Sequence, residues 1–362
     1  MKFIVIFLLI ILTYLGINGW LFHALLRATQ HWPPVARITL SVAYWSLALL
    51  LFPVQMLRDK LPIDAGHLLY WLSNGWLVFF FYLALSYLAT ILLRLFGLRI
   101  PHAFACSVGF TLLLLVYGFI RFSRPVVRHI NLSLSQPTFH PTGMRIVAVS
   151  DVHLGYGVDR ARLRRYVDLI NRQRPDLILI AGDLIDMSVV PLWTEKMQDE
   201  LNRLQAPMGI YMVPGNHEYI SGIDRSVKFI EQTRITLLRD SIVRLPNGIQ
   251  LAGRDDRSNP QRKSLEQLLA QTDAALPRFV MDHQPVNETV DQLIDARIDF
   301  AFFGHTHHGQ IWPMNRITDT IYRQSYGYHT YNHTHVYVSS GLGLWGPPFR
   351  IGTVSELVVI DF

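Results

Sequence analysis

The sequence predicts an α/β domain preceded by an all-α transmembrane domain of about four helices. Three observations carry this. Four apolar runs fill the first third of the 362 residues. Short β-like runs then alternate with helical periods, the pattern of βαβ units. Clusters of Asp, Asn and His follow five of those β-like runs.

The apolar runs are Phe3–Leu26, Ile38–Leu57, Leu68–Leu93 and Ala103–Ile120. Each is close to the roughly 20 residues that cross a bilayer. Trp20, Trp32, Tyr70, Trp71 and Tyr117 sit near their ends, as in interfacial belts. The net charge of +6 is unevenly spread. Residues 1–125 hold nine Lys or Arg against two acids, and the remainder is nearly balanced. A basic excess in short loops between apolar runs sets topology; no basic stripe with interleaved aromatics points to nucleic acid. Lys2, Arg58, Lys60, Arg121, Arg124 and Arg128 would face one side, and Arg27, Arg37, Arg94 and Arg99 the other. This predicts a multi-pass protein of a bacterial inner membrane with its N-terminus and its C-terminal domain in the cytoplasm. Cys106, the single cysteine, excludes an intrachain disulfide and a cysteine-based zinc site.

The expected organisation is a transmembrane domain over 1–125, a linker with an edge strand over 126–143, containing Pro137 and Pro141, and a catalytic domain over 144–362. Strands are predicted at Arg145–Val149, Leu177–Ala181, Gly209–Val213, Ile249–Ala252, Phe279–Met281, Phe300–Phe303, Val336–Ser339 and Ser355–Ile360. Helices are predicted at Arg162–Arg174, Trp193–Leu204 and Ile223–Gln232.

The polar clusters follow in order. Asp151 and His153 come one residue apart after the first strand, and strand alternation would send both to one face. Gly182-Asp183-Leu184-Ile185-Asp186 follows the second. Gly215-Asn216-His217-Glu218 follows the third. Asp282-His283-Gln284-Pro285 and Gly304-His305-Thr306-His307-His308-Gly309-Gln310 follow two later strands. Ligands of open α/β sheets bind outside the carboxyl ends of strands. Carboxylate, amide and imidazole gathered there suit Mn²⁺, Fe or Zn²⁺ better than Ca²⁺ or thiophilic metals. One residue between His305 and His307 can aim the two rings at different ions only from a turn, because a strand would put both on one face.

The succession DxH, GDxxD, GNHE, a later His and GHTH resembles the calcineurin-like metallophosphoesterase superfamily over about residues 144–362. DHQP, GHTHHGQ and Ser340-Gly341-Leu342-Gly343 resemble its bacterial membrane-associated members. The resemblance implies a four-layer α/β/β/α sandwich and two divalent metal ions bridged by Asp183, most simply Mn²⁺. One ion would also take Asp151, His153 and His307, and the other Asn216, His283 and His305. A metal-bridging hydroxide would attack phosphorus in line. His217 would serve as general acid or stabilise the leaving oxygen. Asp186 and Glu218 would orient ligand or catalytic histidines.

The expected activity is hydrolysis of a phosphodiester or pyrophosphate bond by a membrane-anchored enzyme. Some membrane-associated members of the superfamily cleave UDP-diacylglucosamine-type lipid precursors, which implies a lipid-linked substrate among the candidates. A second reading is a membrane sensor or transport protein with a regulatory phosphoesterase-like module. Arg350, in GLGLWGPPFR, is a candidate substrate-phosphate contact. Arg254, Asp255 and Asp256 would approach the edge of the site. His329, His333 and His335 are read as loop residues, and the arginines over 160–174 as a solvated helix face.

Overall fold

A computed structural model describes residues 2–134 and 143–362. Pro137 and Pro141 of the expected linker lie outside the described residues. The N-terminal third forms five helices: α1 (Lys2–Ala28), α2 (Pro34–Leu49), α3 (Leu51–Leu57), α4 (Ile63–Leu95) and α5 (Ala103–Ser123). Three of them, α1, α4 and α5, are long and apolar enough to cross a membrane. The second predicted run is a bent pair: α2 and α3 meet at 43°. Pro53 accounts for the break, since it has no N–H to give and its ring crowds the carbonyl four residues back. Counted as one span, the pair brings the total to four. α4 ends on Gly97 at φ +82, with Leu98 N–H reaching the Leu93 carbonyl at 3.1 Å, a C-terminal cap that needs a left-handed residue. Between the helices, Leu21, Tyr44, Ala48, Trp76 and Leu83 are buried together. Buried Asn18 is satisfied there by Tyr44, whose hydroxyl donates to its carbonyl at 2.9 Å.

The chain divides into this helical unit (Met1–Phe119 with Gly346–Pro348) and an α/β unit (Ile120–Trp345 with Phe349–Phe362). The α/β unit has two six-stranded sheets. The first contains β1 (Val126–Asn131), β2 (Arg145–Val149), β3 (Leu177–Ala181), β4 (Ile210–Val213), β5 (Ile235–Leu237) and β12 (Glu356–Asp361), in the order β1-β12-β2-β3-β4-β5. The second contains β6 (Ser241–Arg244), β7 (Gln250–Gly253), β8 (Arg278–Met281), β9 (Phe300–Phe303), β10 (Gly327–Tyr331) and β11 (Thr334–Val338), in the order β10-β11-β9-β8-β7-β6. β2, β3 and β4 run parallel, as do β7, β8 and β9. Five strand ends that the sequence supplies with polar residues thus reach the same edge of each sheet.

The core explains the layering. Ile146, Ala148, Leu177, Leu179 and Val213 of the first sheet pack on Leu251, Phe279, Met281, Phe300 and Phe302 of the second. The alternate residues Val280, Ala301, Phe303 and Val336 face outward onto Leu265, Leu268, Val290 and Leu293 of two flanking helices. Both faces of the parallel strands are therefore buried, which is why they read as unbroken apolar runs such as LILIA. The architecture is the expected α/β/β/α sandwich.

Several elements differ from expectation. The helix predicted over Trp193–Leu204 is two short helices, Val190–Thr194 and Met197–Leu201, parted by Lys196 in the left-handed region. The stretch that holds His329, His333 and His335 is not a loop. Its β10 and β11 pair antiparallel as a hairpin turning at Asn332 and His333, so His329 and His335 are strand residues. Its mostly exposed β10 lies at the sheet edge, where burial leaves no alternation to read. Nor is the arginine-rich helix α6 (Arg160–Arg172) simply solvated. Arg162 is buried with its guanidinium 4.2 Å above the Phe122 ring, and Arg160 and Arg164 both pair with Glu200.

Candidate metal centre

The residues after β2, β3, β4, β8 and β9 converge at the carboxyl edges of the two sheets. Much of the convergence comes from backbone that side chains rarely adopt. Asp151, His153, Asp183, His305 and His307 all have φ between 49 and 72°. Left-handed backbone is costly for residues with a Cβ. A run of such residues at one place is typical of a site whose side-chain directions are fixed by function. It also corrects the strand argument for Asp151 and His153. β2 ends at Val149, and the two side chains meet because each sits on a left-handed residue beyond the strand, not through the pleat.

Two glycines let the loops close. A Cβ on Gly215 would lie 2.1 Å from Asp183 Oδ1, and one on Gly304 would lie 2.4 Å from Asp151 Oδ2.

Three groups of metal-ligand type result: Asp151 with His153 and His307, Asp183 with His283 and His305, and His153 with Asp186 and His217. The first two lie around the shared Asp183, and the third joins His217 to the first through His153. In the first, His153 Nε2 and His307 Nε2 face each other at 3.1 Å, and His307 Nε2 is 3.3 Å from Asp151 Oδ1. In the second, His283 Nε2 is 3.1 Å from Asp183 Oδ2 and from Asn216 Oδ1, and His305 Nδ1 is 2.9 Å from Asn216 Oδ1. His153 Nε2 lies 3.6 Å from Asp183 Oδ2, so one carboxylate oxygen reaches both groups. His305 and His307 separate between the groups, as a turn at His305-Thr306-His307 allows.

Neighbouring residues orient these rings. His283 Nδ1 faces the Ala181 carbonyl at 2.8 Å, which as a donated N–H leaves Nε2 for the cluster. Asp186 Oδ1 lies 3.4 Å from His153 Nδ1 and 3.3 Å from His217 Nδ1. Glu218 is fully buried and accepts three backbone N–H bonds, from Asp183, Gly215 and Ile185. It therefore fastens the β3 and β4 loops together beneath the cluster.

The electrostatics of the cluster are mixed: burial opposes a charged His283, yet Asp183 holds it well above the ordinary histidine range, and burial raises Asp151. Burial and the neighbouring His153 push His307 well below the ordinary histidine range, and burial with His283 takes His305 down to about 4. Both are thus neutral, with a lone pair to offer. Burial opposes ionisation of Asp183, yet the adjoining His283 and His153 hold its carboxyl below the usual range. His217 goes the other way. Burial would lower it, but Asp186 and the charge of Asp183 raise it to about 9. Buried acids and imidazoles whose acceptor atoms face one another within 4 Å, around a shared oxygen, fit divalent cations by donor type.

The cluster opens into a cavity of 310 Å³ walled by Asp183, Asn216, His217, His305, His307, Gln310, Thr318, Tyr322 and Trp345. The Trp345 ring is 6.2 Å from that of His217. Thr318 and Tyr322 carry no motif and were missed by the sequence reading; Thr318 stands on a helix, Met314–Ile321, that it did not predict. Arg350 does not line the cavity. It is wholly buried, and its guanidinium donates to the carbonyls of His307 (2.7 Å), Gly341 (3.3 Å), Gly343 (3.1 Å) and Ser340. Its Nη donors are spent on backbone and its Nε is buried without a partner among the described residues, so the expected contact with substrate phosphate gives way to a positioning role for the His307 loop. His308, also left-handed, stacks on Tyr326 at 4.6 Å and points Nε2 at Asp319, away from both groups. Asp255 binds Tyr219 and Arg239, and Asp256 binds Gln284.

Comparison with known proteins agrees with this geometry. Residues 144–309 match the model of the calcineurin-like phosphoesterase family. An uncharacterized metallophosphoesterase of Helicobacter pylori is 31% identical over 268 residues, covering 70% of this chain and 69% of that protein. A transmembrane protein with metallophosphoesterase domain from Danio rerio is 30% identical, covering 69% of this chain and 60% of its own. A 5'-nucleotidase precursor from Thermus thermophilus has a TM-score of 0.38 at 14% identity, over 56% of this chain and 49% of its own. On the strength of the family match and the Helicobacter relative, the chain belongs to the calcineurin-like phosphoesterases, as a metallophosphoesterase domain behind three to four membrane-type helices.

Proposed function

We propose that this chain is a membrane-anchored hydrolase that cleaves a phosphodiester or pyrophosphate bond at a dinuclear metal centre, on a lipid-linked substrate. The carrying observation is the pair of ligand groups sharing Asp183 Oδ2. Asp151, His153 and His307 would hold one ion with Asp183. Asn216, His283 and His305 would hold the other. Manganese, iron or zinc suit these donors. The bound ions supply a water acidic enough to lose a proton near neutral pH and positive charge for the phosphoryl oxygens.

The chain's own residues do the rest. His217 Nδ1 is engaged by Asp186, so its other nitrogen is left for the cavity it lines. A protonated ring held there donates to the leaving oxygen as the P–O bond breaks. Asp186 Oδ1 also lies 3.4 Å from His153 Nδ1, which sets the acid beside the first ligand group. Trp345, Tyr322 and Gln310 wall the space in which the leaving group sits. The bilayer segments support a lipid-linked substrate, because an anchored site meets membrane lipids at high effective concentration. The surplus of Lys and Arg in the loops supports a cytoplasmic face for the domain in a bacterial inner membrane.

The test uses the full-length protein purified in detergent. A chromogenic phosphodiester and its monoester are assayed with Mn²⁺, Mg²⁺, Zn²⁺ or EDTA. Metal-dependent diester cleavage is expected, abolished by EDTA. Equal turnover of a phospholipid-linked and a soluble nucleotide diester would remove the lipid part of the proposal. No turnover of any diester, with two ions bound, would remove the catalytic part.

A further inference from the structure

A second polar cluster lies at the carboxyl end of β7 and β8, and the proposed reaction does not use it. Arg254 follows β7, and Arg262 precedes the helix Leu265–Leu269. Both guanidiniums converge on a single oxygen, Asp282 Oδ2, with Arg254 Nη1 at 3.0 Å and Arg262 Nη2 in closer contact. Asp282 is wholly buried, and the Arg254 and Arg262 side chains are only 7% and 9% exposed. Arginine cannot shed its charge to suit burial. Two fixed positive charges therefore share one carboxylate. The Nε of each is also buried without a hydrogen-bond partner among the described residues, as is the second oxygen of Asp282, Oδ1.

The nearby carboxylates of Asp240 and Asp256 add negative charge, but among the described residues neither pairs with Arg254 or Arg262. Asp240 accepts from the backbone N–H groups of Asp255 and Lys263. Asp256 accepts from Ser258 N–H and the Gln284 amide. Instead, the two arginines open onto a cavity of 400 Å³ that Arg257 and Lys263 also line. Among the described residues, Glu288 is the single acid on its wall, beside the polar groups of Asn259, Thr289 and Gln292.

We propose that this cavity is a second anion-binding site, made for a phosphate-bearing group and distinct from the metal centre. Guanidinium forks match the geometry of phosphate oxygens and bind them as charge-assisted pairs. A bound phosphate would place negative charge against Arg254, Arg257, Arg262 and Lys263, the four cations that line the cavity. Asp282 directly precedes His283, so an anion that draws Arg254 and Arg262 toward the cavity acts on the strand end that carries a proposed metal ligand. Two sources offer this chemistry: inorganic phosphate and the headgroup of an anionic phospholipid.

The inference goes beyond the proposed hydrolysis, and its test does not use turnover. Radiolabelled inorganic phosphate is dialysed to equilibrium against the full-length, metal-loaded protein in detergent. Wild type is expected to bind one equivalent more than the Arg257→Gln/Arg262→Gln variant, at the same metal content. Arg257 is exposed and its side chain makes no hydrogen bond or ion pair among the described residues, so Arg257→Gln alone keeps the test valid if the double variant misfolds. It should weaken that equivalent by about tenfold, the loss of one charge-assisted bond. The same count and affinity in wild type and Arg257→Gln would overturn the proposal, whether or not the metal centre proves catalytic. Micelles containing phosphatidic acid then separate the sources. Displacement of the extra equivalent assigns the site to a lipid headgroup, and retention assigns it to free phosphate.

Discussion

Two histidine-rich regions stand close in the sequence and differ in everything but composition. The GHTHHGQ loop after β9 sends buried His307 and half-buried His305 into separate ligand groups. The hairpin of β10 and β11 carries His329, His333 and His335 some twenty to thirty residues later, on regular strands and a turn, exposed or partly exposed. Tyr328 caps His335 through a 2.6 Å hydrogen bond, and His329 packs against Tyr331 at 4.3 Å. The difference lies in the backbone. His305 and His307 stand on left-handed residues that turn side chains of one short loop toward each other's neighbours, whereas antiparallel pairing spaces the hairpin rings along a surface. Imidazole content alone does not make a metal site; acids, burial and non-repetitive backbone do.

The largest expected effects test the cradle itself. Asp183→Asn removes the one carboxylate that touches both groups. Bound metal, read by elemental analysis, should fall below that of every other variant, and diester cleavage should become undetectable. His217→Ala should act differently. Metal content stays at the wild-type level while turnover falls by about 10²–10⁴-fold, the range for a lost general acid. The loss should be smallest for leaving groups acidic enough to depart without a proton. A His217→Ala protein as active as wild type on a poor leaving group would take the acid role from this residue.

A smaller effect separates backbone strain from cradle geometry. Gly215→Ala would drive a Cβ to within 2.1 Å of Asp183 Oδ1. Its metal affinity should drop by roughly 10–100-fold, as for other disruptions around ligand residues. Gly248 is the control. It has φ +91 with nothing within 4 Å of an added Cβ. Gly248→Ala should cost about 1–2 kcal/mol of stability in denaturant unfolding through left-handed strain alone, with metal binding unchanged. If both variants lose metal alike, the contact at Gly215 is not what matters.

Much of this was legible beforehand, for an identifiable reason. Apolar strands buried on both faces announce themselves, and Arg145–Val149, Leu177–Ala181 and Phe300–Phe303 have the boundaries the sequence predicts. Because those strands are parallel, the residues after them were bound to share an edge, and the structure brings Asp151, His153, Asp183, Asn216, His217, His283, His305 and His307 together there. The elements that were missed lack such a signal. β5 and β6 are three and four residues long. β10 is too exposed to alternate. Arg350 was misread because a cation in a glycine-rich tail looks like a phosphate contact, and only tertiary structure reveals four carbonyls waiting for its donors.

The smallest expected effect bears most directly on the opening contrast. Replacing His329, His333 and His335 together by Ala removes three of the fifteen histidines. If composition made the site, metal content should fall. If backbone and burial make it, metal content and diester turnover should stay within about twofold, because these rings belong to neither ligand group. Stability should change slightly. The Tyr328 hydroxyl loses its partner at His335 Nδ1, a partly solvated hydrogen bond that contributes on the order of 1 kcal/mol. The sheet edge keeps its ladder, because the β10–β11 pairing is made by backbone groups that the substitutions leave in place. Loss of an ion in the triple variant would mean that the hairpin donates a ligand, and would require the cradle to be redrawn around it.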